Sequence, residues 1–285
     1  MNQDISERIR TLMPTLSKGQ KRIASAILNN YDKAAYLTAS RLGELAGVSE
    51  STVVRFAGEI GYEGYPEMQQ AVQELVRTKL TPNQRIEVTN QRIGTGDILE
   101  NVLHSDMEKI KYTLENVDRA AFEDAVRRLC NAEHIYIIGV RSSATLATFF
   151  SYNLGLILDN VKSVQPTSSS EIFEQILQIS PRDVLVAITF PRYSKKLINA
   201  VKYARDQGAA VVALTDSTLS PLAQYADCLL TAQSDMASFV DSLVAPLSII
   251  NAIVVALTRQ KQDEAVERFD RLERIWSEYD VYDKH

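Results

Sequence analysis

Two short segments of the chain combine side-chain hydroxyls with an arginine, which are groups that bind anions. One covers residues 139–144 (GVRSSA) and the other covers residues 189–194 (TFPRYS). In each segment the guanidinium group can donate two parallel hydrogen bonds to a phosphate or a carboxylate. The residues expected to contact such a ligand are Gly139, Arg141, Ser142, Ser143, Thr189, Arg192 and Ser194. Together the two segments predict a site for a small anionic effector.

A purely structural explanation of the same residues is also open. Serine and threonine side chains often cap helices, and both arginines could form ion pairs elsewhere in the fold. The sequence therefore predicts an anion site without excluding a role in capping and ion pairing.

Five short apolar runs predict the strands that would position these segments. They are HIYIIGV (134–140), VKSVQP (161–166), DVLVAITF (183–190), AAVVALTD (209–216) and ADCLLTA (226–232). Helical patterns separate the runs, and this alternation predicts a doubly wound, five-stranded parallel sheet covered on both faces. Ligands of such sheets bind beyond the carboxyl ends of the strands, where successive crossovers diverge. If the first and third strands are neighbours, the two segments line one crevice, and the helices that follow point free N–H groups at a bound anion.

A second candidate site lies in residues 38–66, which read as two short helices around a tight turn at Gly47. Leu42, Leu45 and Ala46 are predicted to share the buried face of the first helix. Ser49 is predicted to cap the second helix by accepting a hydrogen bond from a backbone N–H. Residues Val53, Ala57 and Ile60 then form the buried stripe of that helix.

The outward residues of the second helix suit the major groove of DNA, because a recognition helix presents polar side chains near its amino end. The predicted DNA-binding residues are Arg41, Ser49, Ser51, Thr52 and Arg55. An ordinary helical hairpin is the alternative for such a pattern taken alone.

The run SRLGELAGVSESTVVRFAGEIGYEGYPEM (40–68) closely resembles the N-terminal domain of RpiR/MurR-family bacterial transcription regulators. In that family an "LA…gvS..tvvRF...lG..G" pattern forms the helix-turn-helix. Residues from about 97 to 257 look like a sugar-isomerase (SIS) domain, which binds phosphosugars and follows the helix-turn-helix in these regulators. The stretch LTDSTLSPLAQYADCLL (214–230) resembles the segment around the family's fourth and fifth strands.

The resemblance extends unevenly to the two anion-binding segments. The family's Gly-x-Gly-x-Ser loop corresponds to Gly139 and Ser143, but Arg141 stands where the second glycine is usual. The Ser-x-Ser-Gly-x-Thr loop corresponds only to Thr189 and Ser194, since Pro-Arg-Tyr replaces the Ser-Gly segment. Glycines let a backbone approach a phosphate closely. The arginines therefore indicate either a different anion, such as one with two charged groups, or a closed pocket.

Four regions follow from these patterns. Residues 1–80 are predicted to form an all-α helix-turn-helix domain, and the polar residues 81–96 lack a sustained period and are interpreted as a linker. Residues 97–259 are predicted to form the SIS domain with its leading helices, and residues 260–285 form a C-terminal helix. The first leading helix could clasp a partner subunit or pack on its own domain, and the sequence leaves both possibilities open.

Composition and residue types exclude several classes of protein. The net charge of −5 does not favour DNA binding by bulk charge, so any contact depends on local placement of basic residues. Cys130 and Cys228 lack metal-ligand spacing, which predicts reduced thiols and neither a metal site nor a cofactor. No apolar run approaches the ~20 residues that span a bilayer, and residues 1–10 lack the order of a signal peptide. A cytoplasmic location without membrane contact is expected.

No catalytic residue is predicted. Isomerisation of a sugar needs a positioned base and usually a second proton donor. The histidines are His104 in a leading helix, His134 at the amino end of a strand, and His285 at the C-terminus. Glu171 and Glu174 could lie near the crevice, but nothing in the sequence marks either as a base.

The sequence thus predicts a DNA-binding transcriptional regulator whose SIS domain senses an anionic metabolite, with a phosphosugar implied by the resemblance. Its expected partners are double-stranded operator DNA, the effector and further copies of itself, as a homodimer or homotetramer. A sugar-phosphate isomerase or binding protein with an added helical domain is one alternative. A DNA-binding protein whose C-terminal domain only dimerises is another.

Overall fold

The computed structural model describes residues 4–93, 96–165 and 168–282. The chain divides into two compact units, of which the first contains residues 1–95 and 238–240 and the second contains residues 96–237 and 241–285. Within the part that the structure describes, no helix is both long and apolar enough to cross a membrane.

The first unit is built from helices that pack around an apolar core. Ile9, Ile23, Phe56 and Met68 are buried completely in this core. The helices are α1 (Ile5–Leu12), α2 (Lys18–Asn29), α3 (Tyr31–Ala34), α4 (Ala39–Ala46), α5 (Glu50–Glu59), α6 (Tyr65–Lys79) and α7 (Pro82–Ile93). Helix α7 occupies most of the segment interpreted as a linker, so that segment is helical although its sequence lacks a sustained apolar period.

The second unit alternates strands and helices after two leading helices. Its elements are α8 (Ile98–Asn116), α9 (Arg119–Asn131), β1 (Ile135–Gly139), α10 (Ser143–Gly155), β2 (Val161–Val164), α11 (Ser169–Gln175), β3 (Val184–Ile188), α12 (Lys195–Asp206), β4 (Ala210–Thr215), a 3-10 turn (Ala223–Tyr225), β5 (Cys228–Thr231), α13 (Val244–Gln260) and α14 (Gln262–Glu278). The predicted strands are confirmed, each shorter than its apolar run because the end residues enter loops.

All five strands are parallel and lie in the order β2-β1-β3-β4-β5. The predicted doubly wound sheet is therefore confirmed. Strands β1 and β3 are neighbours, with Gly139 opposite Ile188 at their carboxyl ends. The chain moves outward in opposite directions from this pair, which makes the β1–β3 border the point where a ligand crevice is expected.

Apolar cores cover both faces of the sheet. On one face, Phe150, Leu154 and Ile250 from α10 and α13 pack against the strands. On the other face, Ile172 and Leu197 from α11 and α12 do the same. Burial on both faces explains why the strands read as continuous apolar runs without alternation.

A buried carboxylate lies at the end of the sheet where the strands begin, which we call the amino edge; the opposite end is the carboxyl edge. Asp183 accepts hydrogen bonds from the backbone N–H and the hydroxyl of Ser180 (2.8 and 2.7 Å), and its other oxygen lies 3.0 Å from Nδ1 of His134. Burial alone would raise the pKa of Asp183, but the hydrogen bonds from Ser180 and His134 hold it below its usual value. His134 therefore lies at the end of the sheet opposite to the predicted ligand site, as its place in the sequence indicates.

Candidate functional site

The backbone of both predicted anion-binding segments turns sharply at an arginine. Arg141 has φ 61° and Arg192 has φ 66°, which is the left-handed region that non-glycine residues rarely adopt. The cost is on the order of 1 kcal/mol per residue. Arg141 thus keeps the conformation that a glycine would adopt at the same position, while adding a long cationic side chain that is exposed.

Gly139 is required for packing at the end of β1. A Cβ at this position would lie 2.3 Å from the carbonyl oxygen of Ser143 and 3.1 Å from the Cβ of Ala147. Both contacts are with α10, so the glycine lets this helix begin directly against the strand. Gly139 therefore permits the close approach of α10 to β1, whereas the sequence suggested the close approach of a phosphate.

Four hydroxyl groups near the carboxyl ends of β1 and β3 have no hydrogen-bond partner in the part of the chain that the structure describes. Ser143 and Thr189 are only 3% and 5% exposed, and Ser142 and Ser194 stand at the amino ends of α10 and α12 without capping them through their side chains. Among the described residues, none of these four hydroxyls forms a hydrogen bond, and the guanidinium group of Arg141 forms no ion pair. The structural alternative is therefore wrong for side-chain capping and for Arg141, and these donors are available to a ligand.

The cavity at the carboxyl edge lies on the β2 side of β1. It has a volume of about 220 Å³, and its lining includes Gly139, Arg141, Ser163 and Gln165. The second segment does not contribute to this cavity, contrary to the expectation of one crevice lined by both. Phe190 belongs to the apolar core on the α10 face, so the second segment turns inward there. Ser163 and Gln165 were missed because their strand was not expected to border the site.

A third part of this edge joins the second segment to the end of β4. The hydroxyl of Tyr193 donates to Asp216 at 3.0 Å, and the hydroxyl of Thr215 donates to the same carboxylate at 3.1 Å. Thr215 also lies 2.9 Å from the hydroxyl of Ser220. Tyr193, which departs from the family's pattern, therefore anchors its segment to Asp216, and this contact was not predicted from the sequence.

The predicted catalytic alternatives find no support in the geometry of the described residues. His104 is exposed on α8, 3.6 Å from Glu100, and His134 is at the amino edge. His285 lies outside the described residues. Glu171 accepts a hydrogen bond from the backbone N–H of Ser168 in the capping box of α11. Within the same residues, no cluster of histidine, cysteine and acidic side chains could hold a metal ion.

The second candidate site is the pair α4 and α5. Gly47 ends α4 in the left-handed conformation (φ 63°), and a Cβ on Gly43 would lie 2.9 Å from the carbonyl oxygen of Val48. These two glycines permit the tight turn that brings α5 across α4. Val53, Ala57 and Ile60 of α5 are buried as predicted.

Ser49 stands at the amino end of α5 as predicted, but its side chain does not cap the helix. Its hydroxyl instead lies 3.0 Å from that of Ser51 and 2.8 Å from that of Thr52. The predicted capping bond is therefore wrong, because neighbouring hydroxyls compete for the same oxygen. The three hydroxyls form one polar cluster at the amino end of the helix.

The outer surface of this helix pair is partly apolar. Leu45 is 50% exposed, contrary to its predicted burial, because Ala39, Leu42, Gly43 and Ala46 form the buried stripe of α4. Val54 is also exposed, next to the exposed Arg55. An apolar side chain at such a position can contact a thymine methyl group. Val54 was missed because polar residues alone were selected.

The two predicted DNA-contacting arginines are held by weak local contacts. Nε of Arg55 donates to the carbonyl oxygen of Ser51 at 3.2 Å. Arg41 pairs with Glu44 at 3.0 Å, and both side chains are mostly exposed. Exposed pairs of this kind contribute little stability, so both guanidinium groups can rearrange toward a nucleic acid at small cost.

Two family models match the chain. Residues 3–79 match "Helix-turn-helix domain, rpiR family", and residues 128–256 match "SIS domain". Together they include most of the chain.

Full-length relatives and solved structures are similar to this chain over the same regions. The HTH-type transcriptional regulator HexR of Escherichia coli is 25% identical over 285 residues, covering 95% of this chain and 94% of the relative. An uncharacterized HTH-type transcriptional regulator of Haemophilus influenzae is 25% identical over 273 residues, covering 93% of each.

Among structures, the Vibrio vulnificus NanR protein complexed with ManNAc-6P has a TM-score of 0.61 at 24% identity, over 96% of this chain and 98% of that one. The sugar isomerase domain of the RpiR transcription factor from Sphaerobacter thermophilus has a TM-score of 0.58 at 25% identity, over 61% of this chain and 97% of that domain. With its rpiR-type helix-turn-helix domain followed by a SIS domain, the chain belongs to the RpiR family of transcriptional regulators.

Proposed function

We propose that this transcriptional regulator senses a small anionic metabolite, of the phosphosugar class, at the carboxyl edge of its sheet. The observation that carries the proposal is the set of unsatisfied donors there. Four hydroxyls and the guanidinium of Arg141 lack protein partners within the described residues, although Ser143 and Thr189 are almost fully buried. Among the described residues these hydroxyl oxygens are not fully buried unpartnered atoms, so solvent reaches them and a ligand that accepts hydrogen bonds would complete the site.

The position of these donors supports an anionic ligand. They lie at the border of β1 and β3, where α10 and α12 begin and present the positive ends of their helix dipoles. NanR, which has the same fold, is complexed with ManNAc-6P, and that compound carries a phosphate on a sugar. A phosphate beside Arg141 and hydroxyls of the sugar toward Ser163 or Gln165 would fit the donors around the cavity.

The same proposal assigns DNA binding to residues 1–80 and effector binding to residues 97–259. Two copies of the chain would place two α5 helices on a palindromic operator, with Ser51, Thr52 and Arg55 toward the major groove and Arg41 near the backbone. Ser49 would order the hydroxyl cluster at the start of the helix. Effector binding would then change the affinity for the operator without any chemical conversion of the effector.

A thermal-shift screen of the full chain tests the proposal. The panel contains sugar phosphates, the corresponding unphosphorylated sugars, small dicarboxylates and inorganic phosphate. A compound that binds only the folded protein increases the free energy of unfolding, by about 2.7 kcal/mol at a concentration of 100 times its Kd. The melting temperature rises as a result. We expect a sugar phosphate to raise it and its unphosphorylated sugar to leave it unchanged.

Positive compounds are then tested for turnover and for their effect on a mobility shift with operator DNA. Stabilisation by the sugar and its phosphate alike, or by none of the anions, would contradict the proposal. Conversion of the bound compound to an isomer would contradict the non-enzymatic part of it.

A further inference from the structure

Helix α4 ends in a Schellman motif, and an arginine from another helix binds to it. The backbone N–H of Val48 donates to the carbonyl oxygen of Gly43 at 2.9 Å, and Gly47 is in the left-handed conformation that this motif requires. The carbonyl oxygen of Gly47 accepts a hydrogen bond from Nη2 of Arg22 at 2.6 Å. Arg22 lies on α2, 25 positions earlier in the chain. The turn that leads into α5 is therefore tied to a helix outside the α4–α5 pair.

Helix α5 ends in the same motif, again with an arginine bound to it. The backbone N–H of Tyr62 donates to the carbonyl oxygen of Ala57 at 3.0 Å, and Gly61 is left-handed with φ 86°. Nη1 of Arg8, on α1, donates to the carbonyl oxygens of Ile60 and Gly61 at 3.2 and 3.3 Å. The guanidinium carbon of Arg8 also lies 4.8 Å from the centre of the Tyr62 ring, which is a cation–π distance. The carboxyl end of α5 is thus tied to α1.

Both arginines lie where a positive charge stabilises a helix. The carboxyl end of a helix carries about half a negative charge, and its last carbonyl groups lack donors within the helix. Hydrogen bonds donated by a charged group to such carbonyls are stronger than neutral ones. The guanidinium groups approach the two glycines closely. A Cβ on Gly47 would lie 3.3 Å from Nη1 of Arg22, and a Cβ on Gly61 would lie 3.3 Å from Nη1 of Arg8.

These contacts distinguish Arg8 and Arg22 from the arginines that are predicted to contact DNA. In the described part of the chain, the side chains of Arg41 and Arg55 contact residues three and four positions away on their own helices. Arg8 and Arg22 instead bind carbonyl groups 52 and 25 positions away. The end of α5 that Arg8 binds is also about 15 Å along the helix from its amino end, at 1.5 Å per residue.

We propose that Arg8 and Arg22 are positioning residues for DNA recognition, which hold the two ends of α5 and do not contact the DNA themselves. Arg22 fixes the turn through which the chain enters α5, and Arg8 fixes the turn through which it leaves. A helix held at both ends presents its polar side chains at one angle, and readout of base edges in the major groove depends on that angle. Contacts with phosphates carry no sequence information and tolerate a change of angle. This role rests on the DNA binding proposed for α5.

DNA binding by the full chain tests the role of both arginines. The probes are a duplex that the wild type selects from a random pool and an unrelated duplex of the same length. Arg8→Ala and Arg22→Ala should each weaken binding to the selected duplex about tenfold and to the unrelated duplex less than about twofold, because sequence readout is lost. The ratio of the two affinities therefore falls. A loss of folded protein alone would lower both affinities equally and leave this ratio unchanged.

The salt dependence of binding separates positioning from a phosphate contact. Loss of a phosphate contact reduces the slope of log K against log salt concentration by about 0.9, whereas Arg8→Ala and Arg22→Ala should keep the wild-type slope. Arg8→Lys and Arg22→Lys retain the charge and a donor, should recover part of the affinity ratio, and replace an alanine variant that fails to fold. The matched controls are Arg10→Ala on α1 and Lys21→Ala on α2, which remove an exposed charge and should keep the ratio.

Hydrogen exchange without DNA tests the contacts at the helix ends directly. The N–H groups of Val48 and Tyr62 close the two motifs. Arg22→Ala should accelerate exchange at Val48 about fivefold or more, since the charge-assisted bond beside it is lost. Arg8→Ala should do the same at Tyr62. Exchange at Val72 of α6 should keep its wild-type rate in both variants, which shows that the change is local.

Unchanged exchange at Val48 and Tyr62 would overturn the proposal. An unchanged affinity ratio would also overturn it, as would a lower salt slope with both duplexes weakened alike. If the wild type selects no duplex, the DNA binding proposed for α5 is wrong and this role in recognition is wrong with it. Faster exchange would then still show that the arginines hold the helix ends, so the two failures give different results.

Discussion

At the scale of single residues, the arginines of the two predicted anion-binding segments occupy a backbone conformation that favours glycine. Arg141 and Arg192 both have φ above 60°, and a glycine would relieve this conformation at no steric cost. The fold alone therefore gives no reason for an arginine at position 141. A ligand that pairs with the exposed guanidinium group would supply one.

Replacing Arg141 by glycine and by alanine separates its side chain from its backbone. Both variants should lower the affinity for an anionic effector roughly tenfold or more, because a charge-assisted hydrogen bond contributes about 1.5–3 kcal/mol. Arg141→Gly should be more stable than Arg141→Ala by about 1 kcal/mol, since alanine keeps the strained φ. Calorimetric titration and melting curves measure the two effects. Wild-type affinity in both variants would remove Arg141 from the effector site.

Arg55 is expected to contact DNA from the exposed face of α5. Arg55→Ala should weaken binding to the specific site by ~1–3 kcal/mol if the arginine contacts a base. If it contacts a phosphate, binding to specific and unrelated DNA should weaken about equally. Mobility shifts on both kinds of DNA distinguish these cases, with Arg271→Ala on α14 as the control. If neither kind of DNA loses affinity, Arg55 lies outside the interface.

At the scale of elements, the junction of β1 and α10 determines where the first segment lies. Helix α10 begins so close to the strand that only a glycine fits at position 139. This packing sets the direction in which the chain leaves β1, and with it the positions of Arg141, Ser142 and Ser143. The geometry of the predicted ligand site thus depends on a contact between backbone atoms.

Gly139→Ala should destabilise the second unit by about 1–3 kcal/mol or more, the usual cost of overpacking. Its Cβ would clash with the carbonyl oxygen of Ser143, which cannot move without shifting α10. Gly155→Ala is the matched control, because a Cβ there meets nothing within 4 Å. Urea denaturation followed by circular dichroism gives the free energy of unfolding. Equal stability of the two variants would show that the β1–α10 junction relaxes freely.

At the scale of the whole molecule, the two ends of the sheet differ in how far the hydrogen bonds of their polar side chains are satisfied. At the amino edge, Asp183 has its hydrogen bonds satisfied by Ser180 and His134. At the carboxyl edge, Ser143 and Thr189 keep donors without partners among the described residues. Satisfied polar groups stabilise a fold, whereas unsatisfied ones are available for binding.

The amino edge predicts how stability depends on pH. The pKa of Asp183 is lower in the folded protein than the usual value of about 3.9. Its contribution is therefore fully present above that value and is lost as the pH falls through the folded pKa, because the unfolded chain binds the proton more readily. We expect the free energy of unfolding to decrease as the pH is lowered below about 4. Asp183→Asn should lower stability at pH 7 and make this decrease smaller.

Denaturation at several pH values between 3 and 7 measures this dependence for the wild type and for Asp183→Asn. Asp206→Asn, at the exposed end of α12, is the control and should keep the wild-type profile. The same decline in all three proteins would assign the acid sensitivity to other carboxylates.

The sequence by itself determined the strands, the helices and their class of fold. Strands buried on both faces need continuous apolar runs, and helices need an apolar residue every three or four positions, so both leave a local signal. The turn between α4 and α5 also left a local signal, because Gly47 adopts a left-handed conformation that few other residues tolerate. Helix α7 was missed because its polar sequence has no such period.

Only the tertiary structure decided which surfaces these elements present. Periodicity shows that Leu42 and Leu45 could share a face, but the neighbouring helices determine that Leu45 is exposed. The contact between Tyr193 and Asp216 joins residues 23 positions apart, and it depends on β3 and β4 lying side by side. Leu99, Leu103 and Met107 of α8 have the spacing of a buried helix face, and their exposure follows from Lys109 and Thr113 taking the inward side. Contacts of this kind arise from strand order and helix packing, which bring together residues that no local pattern connects.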